Sequence, residues 1–570
     1  MTGFDWLVMS GTILFIVGYG LWKSRGNTDI KGYLLADNSL KWWTIGLSIM
    51  ATQASAITFL STPGQAFDDG MRFVQFYFGV PIAMVLISIV AIPIYRRLNV
   101  FTAYEYLEGR FDLKTRSLTA TLFLISRGLA AGMTIYAPAI ILSALLGWDI
   151  DLTCVGIGIV VMIYTVSGGT KAVSQTQKQQ MAVILVGMIL AGILMVLKLP
   201  PDVSFGDAIN IAGKMGKLNT ITMPKDFSDF FHDKYNLLSG LVAGTFLMLS
   251  YFGTDQSQVQ RYLGGKSVTE SRLGLMFNGI FKVPMQFLIL FIGVMMFVFY
   301  QFTAPPLFFN STEEAQIAQS EQADAYDALN SRFLSLHEEK AAKLREMIQT
   351  DQALQLATLQ TEVQQMESQA RDMRTEAKEL IKTHNPNADL NDLDQVFLTF
   401  ILDHLPIGLV GLLMAVILSA AMSSTSAELN ALATTSIVDI YKRSMMDTGS
   451  PTHYLRASKV STMLWGILAI GFALIADSFG NLIQAVNLLG SLFYGTILGI
   501  FVIAFFFKWI KGTATFWAAV AGEIAVVAVW LLPQYTETFS WLNVGFLWYN
   551  LIGCAIVVGM GMLIQSFGSE

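Results

Sequence analysis

Four hydroxyl side chains stand in a row within a segment that is otherwise apolar. A buried polar group without a hydrogen-bond partner costs several kcal/mol in hydrocarbon, so each hydroxyl needs a partner. Such hydroxyls either bond to the carbonyl one turn back along a helix, which permits close helix packing, or bind a hard cation such as sodium. Both interpretations are open. The stretch is SAAMSSTSAELN, residues 419–430, where Ser423, Ser424, Thr425 and Ser426 are followed by Glu428 and Asn430.

A second polar cluster lies in the apolar stretch IGLSIMATQASAITFLSTPG, residues 45–64. Its small residues and its terminal Pro-Gly pair predict that the helix is interrupted near Ala51–Ser55. A broken helix presents free carbonyl oxygens inside the membrane, and transporters bind ions and substrates at such breaks. Together the two clusters favour a cation site between two helices, although they do not identify the ion. The polar members of the second cluster are Thr52, Gln53, Ser55 and Thr58.

The composition is that of a polytopic membrane protein. Of 570 residues, 54% are hydrophobic and 14% are charged, whereas a soluble protein carries about 25% charged residues. The mean hydropathy is +0.53. Cys154 and Cys554 lie in apolar runs, so no disulfide framework is predicted. We predict thirteen membrane spans of about 20 residues, near residues 5–22, 42–62, 73–95, 117–146, 150–167, 179–198, 237–253, 272–302, 406–440, 457–477, 480–507, 513–532 and 543–566.

Basic residues predict the orientation, because short cytoplasmic loops are enriched in Lys and Arg. A basic pair follows every odd-numbered span from the first to the eleventh, which predicts an external N-terminus and a cytoplasmic C-terminus. The first apolar run is predicted to be a retained span. The protein is expected to be an integral protein of a bacterial inner membrane. The pairs are Lys23 and Arg25, Arg96 and Arg97, Lys171 and Lys178, Arg261 and Lys266, Lys442 and Arg443, and Lys508 and Lys511.

One polar segment, residues 303–396, interrupts the membrane pattern and is predicted to lie outside. Apolar residues recur in it at spacings of three and four over about three heptads, which predicts a helical hairpin or a coiled coil. It is either a solvated helical insertion or a docking arm for a second copy or an envelope partner. The seam comprises Leu356, Leu359, Val363, Met366, Ala370, Met373, Ala377 and Leu380.

At these polar stretches the chain resembles the sodium/solute symporters. The resemblance covers nearly all of the chain outside the insertion. The segments GVMMFVFY (293–300) and VQRY (259–262) are most similar to the branch of iodide, multivitamin and monocarboxylate carriers. The other stretches that carry the resemblance are LSIMATQASAITFLSTPG, FTAYEYLEGRF (101–111), IYTVSGGTKAV (163–173), YFGTDQSQVQRYL (251–263) and SAAMSSTSAELNALATTSIVDIYK (419–442).

The resemblance implies an all-α membrane protein of about thirteen transmembrane helices. Its core would be a LeuT-type fold of two inverted five-helix repeats, the second to sixth and the seventh to eleventh spans, with the polar helical insertion outside. The implied segments are a peripheral helix and loop (1–40), the first repeat (41–200), an external loop (201–236), the start of the second repeat (237–302), the insertion (303–396), the rest of the second repeat (397–510) and two peripheral helices (511–570).

The resemblance also implies Na+ as the transported coupling ion. Thr425 and Ser426 are then expected to pack or to bond back to their helix, and Glu428 and Asn430 to line an exit route. Gln177 departs from the family pattern, where an aspartate supports sodium binding, so a second sodium is not expected. The implied ligands are the carbonyls of Ala51, Ala54 and Ala420 and the hydroxyls of Ser423 and Ser424.

For the substrate, Arg127 is the most informative charge, because an unpaired guanidinium deep in a span is costly. It either pairs with an acidic residue or binds an anionic substrate. Lys282 either contacts the substrate, which keeps a sugar open, or extends to the interface, while Met248 counts against a galactose-like site. The expected substrate-binding residues are Gln53, Ser55, Thr58, Arg127, Tyr251 and Lys282.

We therefore expect a sodium-coupled symporter that imports a small organic solute, with a carboxylate favoured and a sugar or polyol as the alternative. A transporter-like membrane sensor is the alternative of a different class. No metal-ligand spacing, nucleophile elbow or phosphate-binding loop occurs in the sequence, so an enzyme is not expected. The expected partners are the solute, sodium and the lipid bilayer, and no nucleic acid.

Overall fold

The computed structural model describes residues 1–24, 30–350, 352–386, 388–446, 448–476 and 482–567, and these residues form helices joined by short turns, with no strand among them. A helix satisfies every backbone polar group within its own segment, as hydrocarbon requires. Arg25 and residues 477, 480 and 481, used in the orientation and span predictions, lie outside the described residues. The first helices are α1 (Gly3–Ser24), α2 (Ile30–Leu35), α3 (Trp42–Gln53), α4 (Ala56–Asp69), α5 (Gly79–Ile89), α6 (Ala91–Leu98), α7 (Ala103–Arg110), α8 (Leu113–Leu146) and α9 (Ile150–Leu197).

The second half of the chain contains the polar insertion and the remaining apolar helices. A 3₁₀-helix spans Gly70–Tyr77, and π-helices span Ser239–Ala243 and Ser436–Met445. The helices are α10 (Phe205–Lys214), α11 (Phe227–His232), α12 (Gly244–Gly253), α13 (Gln256–Leu263), α14 (Val268–Phe302), α15 (Ser311–Ile317), α16 (Ala323–Gln349), α17 (Ala353–His384), α18 (Leu393–His404), α19 (Leu409–Thr435), α20 (Pro451–Ala473), α21 (Leu482–Phe506), α22 (Gly512–Tyr535) and α23 (Leu547–Phe567).

Every one of the thirteen predicted spans coincides with a helix or with two consecutive helices. In the described part of the chain, nine helical segments are long and apolar enough to cross a bilayer, and two shorter apolar helices add to them. The fifth and sixth spans lie in α9, which consists of two helices joined at Gly169, where a φ of 59° and a ψ of −172° are not helical. The tenth span, α20, carries Arg456 and Lys459 in its first half, which makes it less apolar than the others.

Each half of the core begins with a broken helix. The first break separates α3 from α4 at Ala54 and Ser55, where ψ is 79° and 173° respectively. The second break separates α12 from α13 at Thr254 and Asp255, and Asp255 has an extended ψ of 120°. The first break was predicted from the sequence, but the second was not. Matching broken helices in the two halves are typical of inverted-repeat transporters.

The hydroxyl-bearing helix α19 lies at the centre of the molecule. It packs against α9, α8, α1 and α3, and nearly all of its side chains from Val410 to Thr435 are buried. Helix α14 packs against α3, α4 and α5 on another side of the core. Helix α18 packs closely against α4 at Gly64. A methyl group added at Gly64 would come within 1.9 Å of the Leu393 carbonyl oxygen.

The insertion forms the predicted hairpin, with α16 and α17 packed together. All eight residues of the predicted seam are buried or half-buried against the chain's own side chains. The hairpin also contacts the loop helix α10, where Gln360 Nε2 donates to the Lys214 carbonyl at 2.9 Å. The Arg345 guanidinium pairs with Asp202 at 2.7 Å in the same region. Burial of the seam therefore packs the two hairpin helices together, and these polar contacts join the hairpin to the rest of the chain.

Candidate functional site

The first helix break frees two backbone carbonyls. In an unbroken helix the amides of Ser55 and Thr58 would bond to the carbonyls of Ala51 and Ala54. Instead, Ser55 N donates to Gln53 O at 3.2 Å and Thr58 N donates to Ser55 O at 3.0 Å. The carbonyl oxygens of Ala51 and Ala54 are thereby released from their helical partners. These are the two carbonyls expected to bind sodium.

One hydroxyl group of helix α19 bonds to a freed carbonyl. Ser423 Oγ donates to Ala51 O at 3.1 Å. The neighbouring Ser424 is 1% exposed, and its hydroxyl has no hydrogen-bond partner among the described residues. Ala420 lies one turn before Ser424 and is fully buried. The structure thus joins Ala51 to Ser423, and Ala54, Ala420 and Ser424 lie within one turn of that contact. An uncharged set of carbonyls and hydroxyls fits a monovalent hard cation.

Gln177 on α9 bonds to both helices of this cluster. Its Nε2 donates to Thr52 Oγ1 at 3.0 Å and to the Ser423 carbonyl at 3.3 Å. Its Oε1 accepts a hydrogen bond from Ser48 Oγ. The side chain that departs from the family pattern therefore connects α3, α9 and α19 without adding a charge.

Ser426, Thr425 and Asn430, which follow the two serines on α19, bond within or between helices. Ser426 Oγ donates to the Ser423 carbonyl at 3.0 Å, which is the expected bond back to the helix. Thr425 Oγ1 donates to Thr134 Oγ1 on α8 at 3.0 Å. Asn430 Nδ2 donates to Thr170 Oγ1 on α9 at 2.8 Å.

A cavity of about 90 Å³ adjoins the first break. One water needs about 10–15 Å³ on this measure, so the cavity has room for a small solute or a few waters. Its wall combines amide and hydroxyl groups with tyrosine rings. Five of the six expected substrate-binding residues line it, namely Gln53, Ser55, Thr58, Arg127 and Tyr251, and sequence reasoning missed Tyr77, Asn487 and Tyr494.

Lys282, the sixth expected residue, does not line this cavity. It is fully buried in α14, and its Nζ has no hydrogen-bond partner among the described residues. The amine lies 5.2 Å from the ring centroid of Tyr77, and Tyr77 itself lines the cavity. Lys282 therefore lies behind Tyr77 and not in the cavity wall, and its side chain does not reach an exposed surface.

Arg127 is paired with two carboxylates. Its Nε donates to Asp255 Oδ2 at 3.1 Å, and its Nη1 donates to Glu428 Oε1 at 3.1 Å. The guanidinium also bonds to the Tyr494 hydroxyl, which donates to Asp255 at 2.9 Å. Thr134 Oγ1 donates to Glu428 at 2.9 Å. One cation and two carboxylates leave this buried cluster with a net charge of about −1 if all three are ionised.

The partners of Arg127 carried a signal that sequence reasoning did not use. Asp255 and Glu428 are carboxylates within apolar stretches, and intramembrane carboxylates usually pair with a cation. Asp255 also caps α13, because its Oδ1 accepts from Ser257 N at 2.8 Å. The cluster therefore joins the second helix break to α8 and α19.

Two tyrosines flank the Arg127 guanidinium on the cavity side. The Arg127 Cζ lies 5.3 Å from the ring centroid of Tyr251 and 5.9 Å from that of Tyr494. The Tyr251 hydroxyl accepts from Gln258 Nε2 at 2.6 Å, which fixes the ring. Tyr251 and Tyr494 have centroids 6.0 Å apart. These flat faces suit the apolar part of a small solute.

Comparison with known families gives a match over most of the chain. The model described as the sodium:solute symporter family matches residues 33–327 and 380–522. The unmatched residues between these two ranges hold most of α16 and α17.

Two relatives and one solved structure resemble this chain. The human sodium/iodide cotransporter is 31% identical over 303 residues, which cover 52% of this chain and 45% of that protein, so the matched part is less than half the relative's length. The sodium-coupled monocarboxylate transporter 1 of Xenopus laevis is 25% identical over 99% of this chain and 85% of that protein. A substrate-bound, outward-open Na+-coupled sialic acid symporter has a TM-score of 0.74 at 21% identity, over 100% of this chain and 99% of that one. This last likeness confirms the expected all-α, LeuT-type fold.

Proposed function

Because the chain belongs to the sodium:solute symporter family, we propose that it couples sodium entry to the import of a small organic solute by alternating access. Members of this family are integral membrane transporters and not enzymes, and sodium is their coupling ion. These points were expected from the resemblance in the sequence. The residues that bind sodium, the identity of the solute and the alternating-access mechanism are what we propose.

The observation that carries the proposal is the first helix break. Sodium would be held by the carbonyls of Ala51, Ala54 and Ala420 and by the hydroxyls of Ser423 and Ser424. The unpartnered hydroxyl of Ser424 and the two released carbonyls support this set. As transported cargo, sodium would replace part of its water shell by these oxygens.

Sodium and solute would be coupled because they share one short piece of backbone. Ala51 and Ala54 would hold the ion, while Gln53 and Ser55, between and beside them, line the solute cavity. Binding of sodium fixes the break between α3 and α4 and thereby fixes the cavity wall. One charge that crosses 100 mV releases about 2.3 kcal/mol, which a single bound sodium makes available for accumulation.

We propose that the solute is a small carboxylate. The N-terminus of α4 lies at the cavity, with Ser55, Ile57 and Thr58 in its wall. The positive end of a half-helix is a favourable partner for an anionic substrate. Arg127 lies in the same wall, and a bound sodium ion would offset the net negative charge of its cluster. The name of the monocarboxylate relative, aligned over nearly the whole chain, agrees with this assignment.

A sugar or polyol is the second candidate, for one reason. The charge of Arg127 is already matched by Asp255 and Glu428, so the groups left for the solute include the neutral amides of Gln53 and Asn487. Amides and hydroxyls suit a polyol as well as a carboxylate. The two candidates predict opposite results for a neutral solute.

Uptake into proteoliposomes distinguishes the candidates. With an inward sodium gradient, we expect accumulation of propionate or lactate and none of glucose or inositol, and potassium in place of sodium abolishes accumulation. Accumulation of the polyols alone would replace the carboxylate assignment. Sodium-dependent binding without any accumulation would instead indicate a membrane sensor.

The orientation belongs to the same proposal. We infer that the N-terminus and the hairpin of α16 and α17 lie outside a bacterial inner membrane and that the C-terminus is cytoplasmic. The basic pairs Arg96 and Arg97, and Lys442 and Arg443, support this orientation. A protease added to intact cells is expected to cut the hairpin and to leave the loop after α6 uncut.

A further inference from the structure

A second cavity lies between the hairpin and the core. Its volume is about 250 Å³, and none of its lining residues lines the central cavity. We name it the hairpin pocket. Its wall is formed by the C-terminal ends of α4 and α14, the loop after α14, the helices α16 and α17, and the N-terminal end of α18. Lys217, from the loop after α10, completes it.

The charges in the wall of the hairpin pocket are mostly positive. Its described lining carries five lysine and arginine side chains against three carboxylates, so it has an excess of two positive charges. The carboxylates are also shared, since Asp392 lies 2.8 Å from Lys378 and 3.7 Å from Arg374. Glu367 lies 2.8 Å from Lys340 and 3.8 Å from Arg371. The cations are Lys217, Lys340, Arg371, Arg374 and Lys378, and the carboxylates are Asp68, Glu367 and Asp392.

Among the described residues, two of the cations have no carboxylate within hydrogen-bond distance: Lys217, which is buried, and Arg374, which is partly buried. Lys217 is 5% exposed, and its Nζ donates to the Phe67 carbonyl at 2.9 Å. Burial lowers the pKa of Lys217 to about 8, so it remains mostly cationic at pH 7. Arg374 Nη2 donates to the Pro306 carbonyl at 2.9 Å, and the ion pair between Arg374 Nη1 and Asp392, at 3.7 Å, is longer than a hydrogen bond. Burial lowers the pKa of Arg374, although an arginine stays charged. A negatively charged group bound in the pocket would give both cations an ionic partner.

Unpartnered polar atoms and aromatic rings face the same space. Tyr300 is 2% exposed and Gln301 is 3% exposed. The hydroxyl of Tyr300 and the Oε1 of Gln301 have no hydrogen-bond partner among the described residues. The Arg374 Cζ lies 4.9 Å from the ring centroid of Phe309 and 5.3 Å from that of Phe333. The Tyr300 hydroxyl and the Arg374 guanidinium therefore offer donors to an anion, and the rings offer flat faces to an apolar body.

We propose that the hairpin pocket is a second binding site, outside the transport path, for a small organic anion with a flat apolar body. The carboxylate lies against Arg374 and Lys217, with the Tyr300 hydroxyl as a further donor. The body lies between the rings of Phe309 and Phe333. Because α4 contributes Phe67 to this pocket and Thr58 to the central cavity, the ligand joins the hairpin to the helix that frames the solute. The site does not depend on the substrate assigned to the central cavity.

Benzoate tests this site, with benzamide as its neutral counterpart. Calorimetric titration of the full chain in detergent at pH 7, in sodium-free buffer, is expected to detect benzoate binding and at least about tenfold weaker binding of benzamide, because charge-assisted hydrogen bonds are lost. No benzoate binding at millimolar concentration would overturn the proposal. Because sodium and a gradient are absent, the result is independent of whether the chain accumulates any solute.

Variants locate the binding. Lys217→Met and Arg374→Gln are each expected to weaken benzoate binding at least about tenfold, and Tyr300→Phe, which removes only an unpartnered hydroxyl, about tenfold. Arg332→Gln is the matched control on an exposed position of α16, and Gln53→Ala is the control in the central cavity. Both controls are expected to bind as the unchanged chain does. Unchanged affinity in Lys217→Met and Tyr300→Phe, or loss of binding in Gln53→Ala alone, would place benzoate elsewhere and overturn the site.

Discussion

At the scale of single residues, hydrogen bonding and ion binding use different parts of the same hydroxyl group. Ser423 Oγ donates its proton to the Ala51 carbonyl at 3.1 Å, and its lone pairs remain for a cation. Ser424 has no such bond among the described residues. A hydroxyl that is buried without a partner is costly unless a ligand completes it. The two serines therefore differ in what they would contribute to the proposed sodium site.

Replacing Ser424 by alanine removes a proposed ligand without breaking a hydrogen bond. We expect Ser424→Ala to raise the sodium concentration for half-maximal uptake about tenfold, the loss of one charge-assisted contact. Ser458→Ala on α20 is the matched control, because the Ser458 hydroxyl is buried and donates only to its own helix at 2.8 Å. Equal sodium dependence in both variants would remove Ser424 from the site.

Arg127 can be tested through the carboxylates that surround it. Arg127→Gln is expected to lower the free energy of unfolding by about 3–5 kcal/mol, since it leaves Asp255 and Glu428 buried without their cation. Adding Glu428→Gln to that variant should restore part of the loss, because one uncompensated charge disappears. Thermal unfolding in detergent measures both.

The same variants separate structure from transport. Carboxylate uptake is expected to stay abolished in the double variant even where its stability recovers, while stabilisation by sodium remains measurable. If recovery of stability restores full uptake, Arg127 is a structural residue only. Either result distinguishes charge balance in the core from recognition of the solute.

At the scale of elements, local sequence predicted some breaks and missed others for physical reasons. The break between α3 and α4 was predicted from the small residues of a span that ends in a Pro-Gly pair. The break at Thr254 and Asp255 was missed, although an aspartate directly after a helix is a common start signal for the next one. The kink at Gly169 lies just after residue 167, the predicted end of the fifth span. Its φ of 59° and ψ of −172° are not helical, so Gly169 separates two helices within α9.

The contact between α4 and α18 could not be predicted from the sequence, because it depends on a single close approach. Gly64→Ala is expected to destabilise the chain by at least about 1–3 kcal/mol, since the new methyl group would come within 1.9 Å of the Leu393 carbonyl oxygen. Thermal unfolding measures the loss. Gly471→Ala on α20 is the control, because nothing lies within 4 Å of its new methyl group. A Gly64→Ala chain as stable as Gly471→Ala would mean that α18 moves freely over α4.

At the scale of the whole molecule, pairings between distant segments were beyond sequence reasoning. Composition and periodicity predicted thirteen spans and a hairpin, since those depend on neighbouring residues. Arg127 and Glu428 are 301 positions apart, and their pairing depends on how the two repeats fold around one centre. The family resemblance and the intramembrane charge of Arg127 together predicted five lining residues of the central cavity, whereas Tyr494 and Asn487 enter from α21 and carried no local pattern.

The end of the molecule that contains α7 is closed by a buried ion-pair network. Arg116 Nε donates to Asp439 Oδ1 at 2.8 Å and its Nη1 donates to Glu108 Oε2 at 2.7 Å. Thr102 Oγ1 donates to the same Asp439 oxygen at 2.8 Å. Arg443, which is half exposed, also pairs with Glu108, at 2.6 Å. These bonds join α7, α8 and the π-helix Ser436–Met445, which follows α19.

In the proposed alternating-access cycle, this end opens when the other closes, and we expect the network to set how easily it opens. Arg116→Gln is expected to raise amide hydrogen exchange in residues 436–446 and 102–110 at least about tenfold, because it leaves Asp439 buried without its cation. Arg443→Gln removes an exposed partner of the same Glu108 and is expected to change exchange less than about twofold. Because an opened end releases the ion, Arg116→Gln should also need more sodium for half-maximal uptake. Equal exchange in the two variants would mean that this network does not control the opening, and the opening would then depend on the hydrocarbon contacts of α8 and α19 alone.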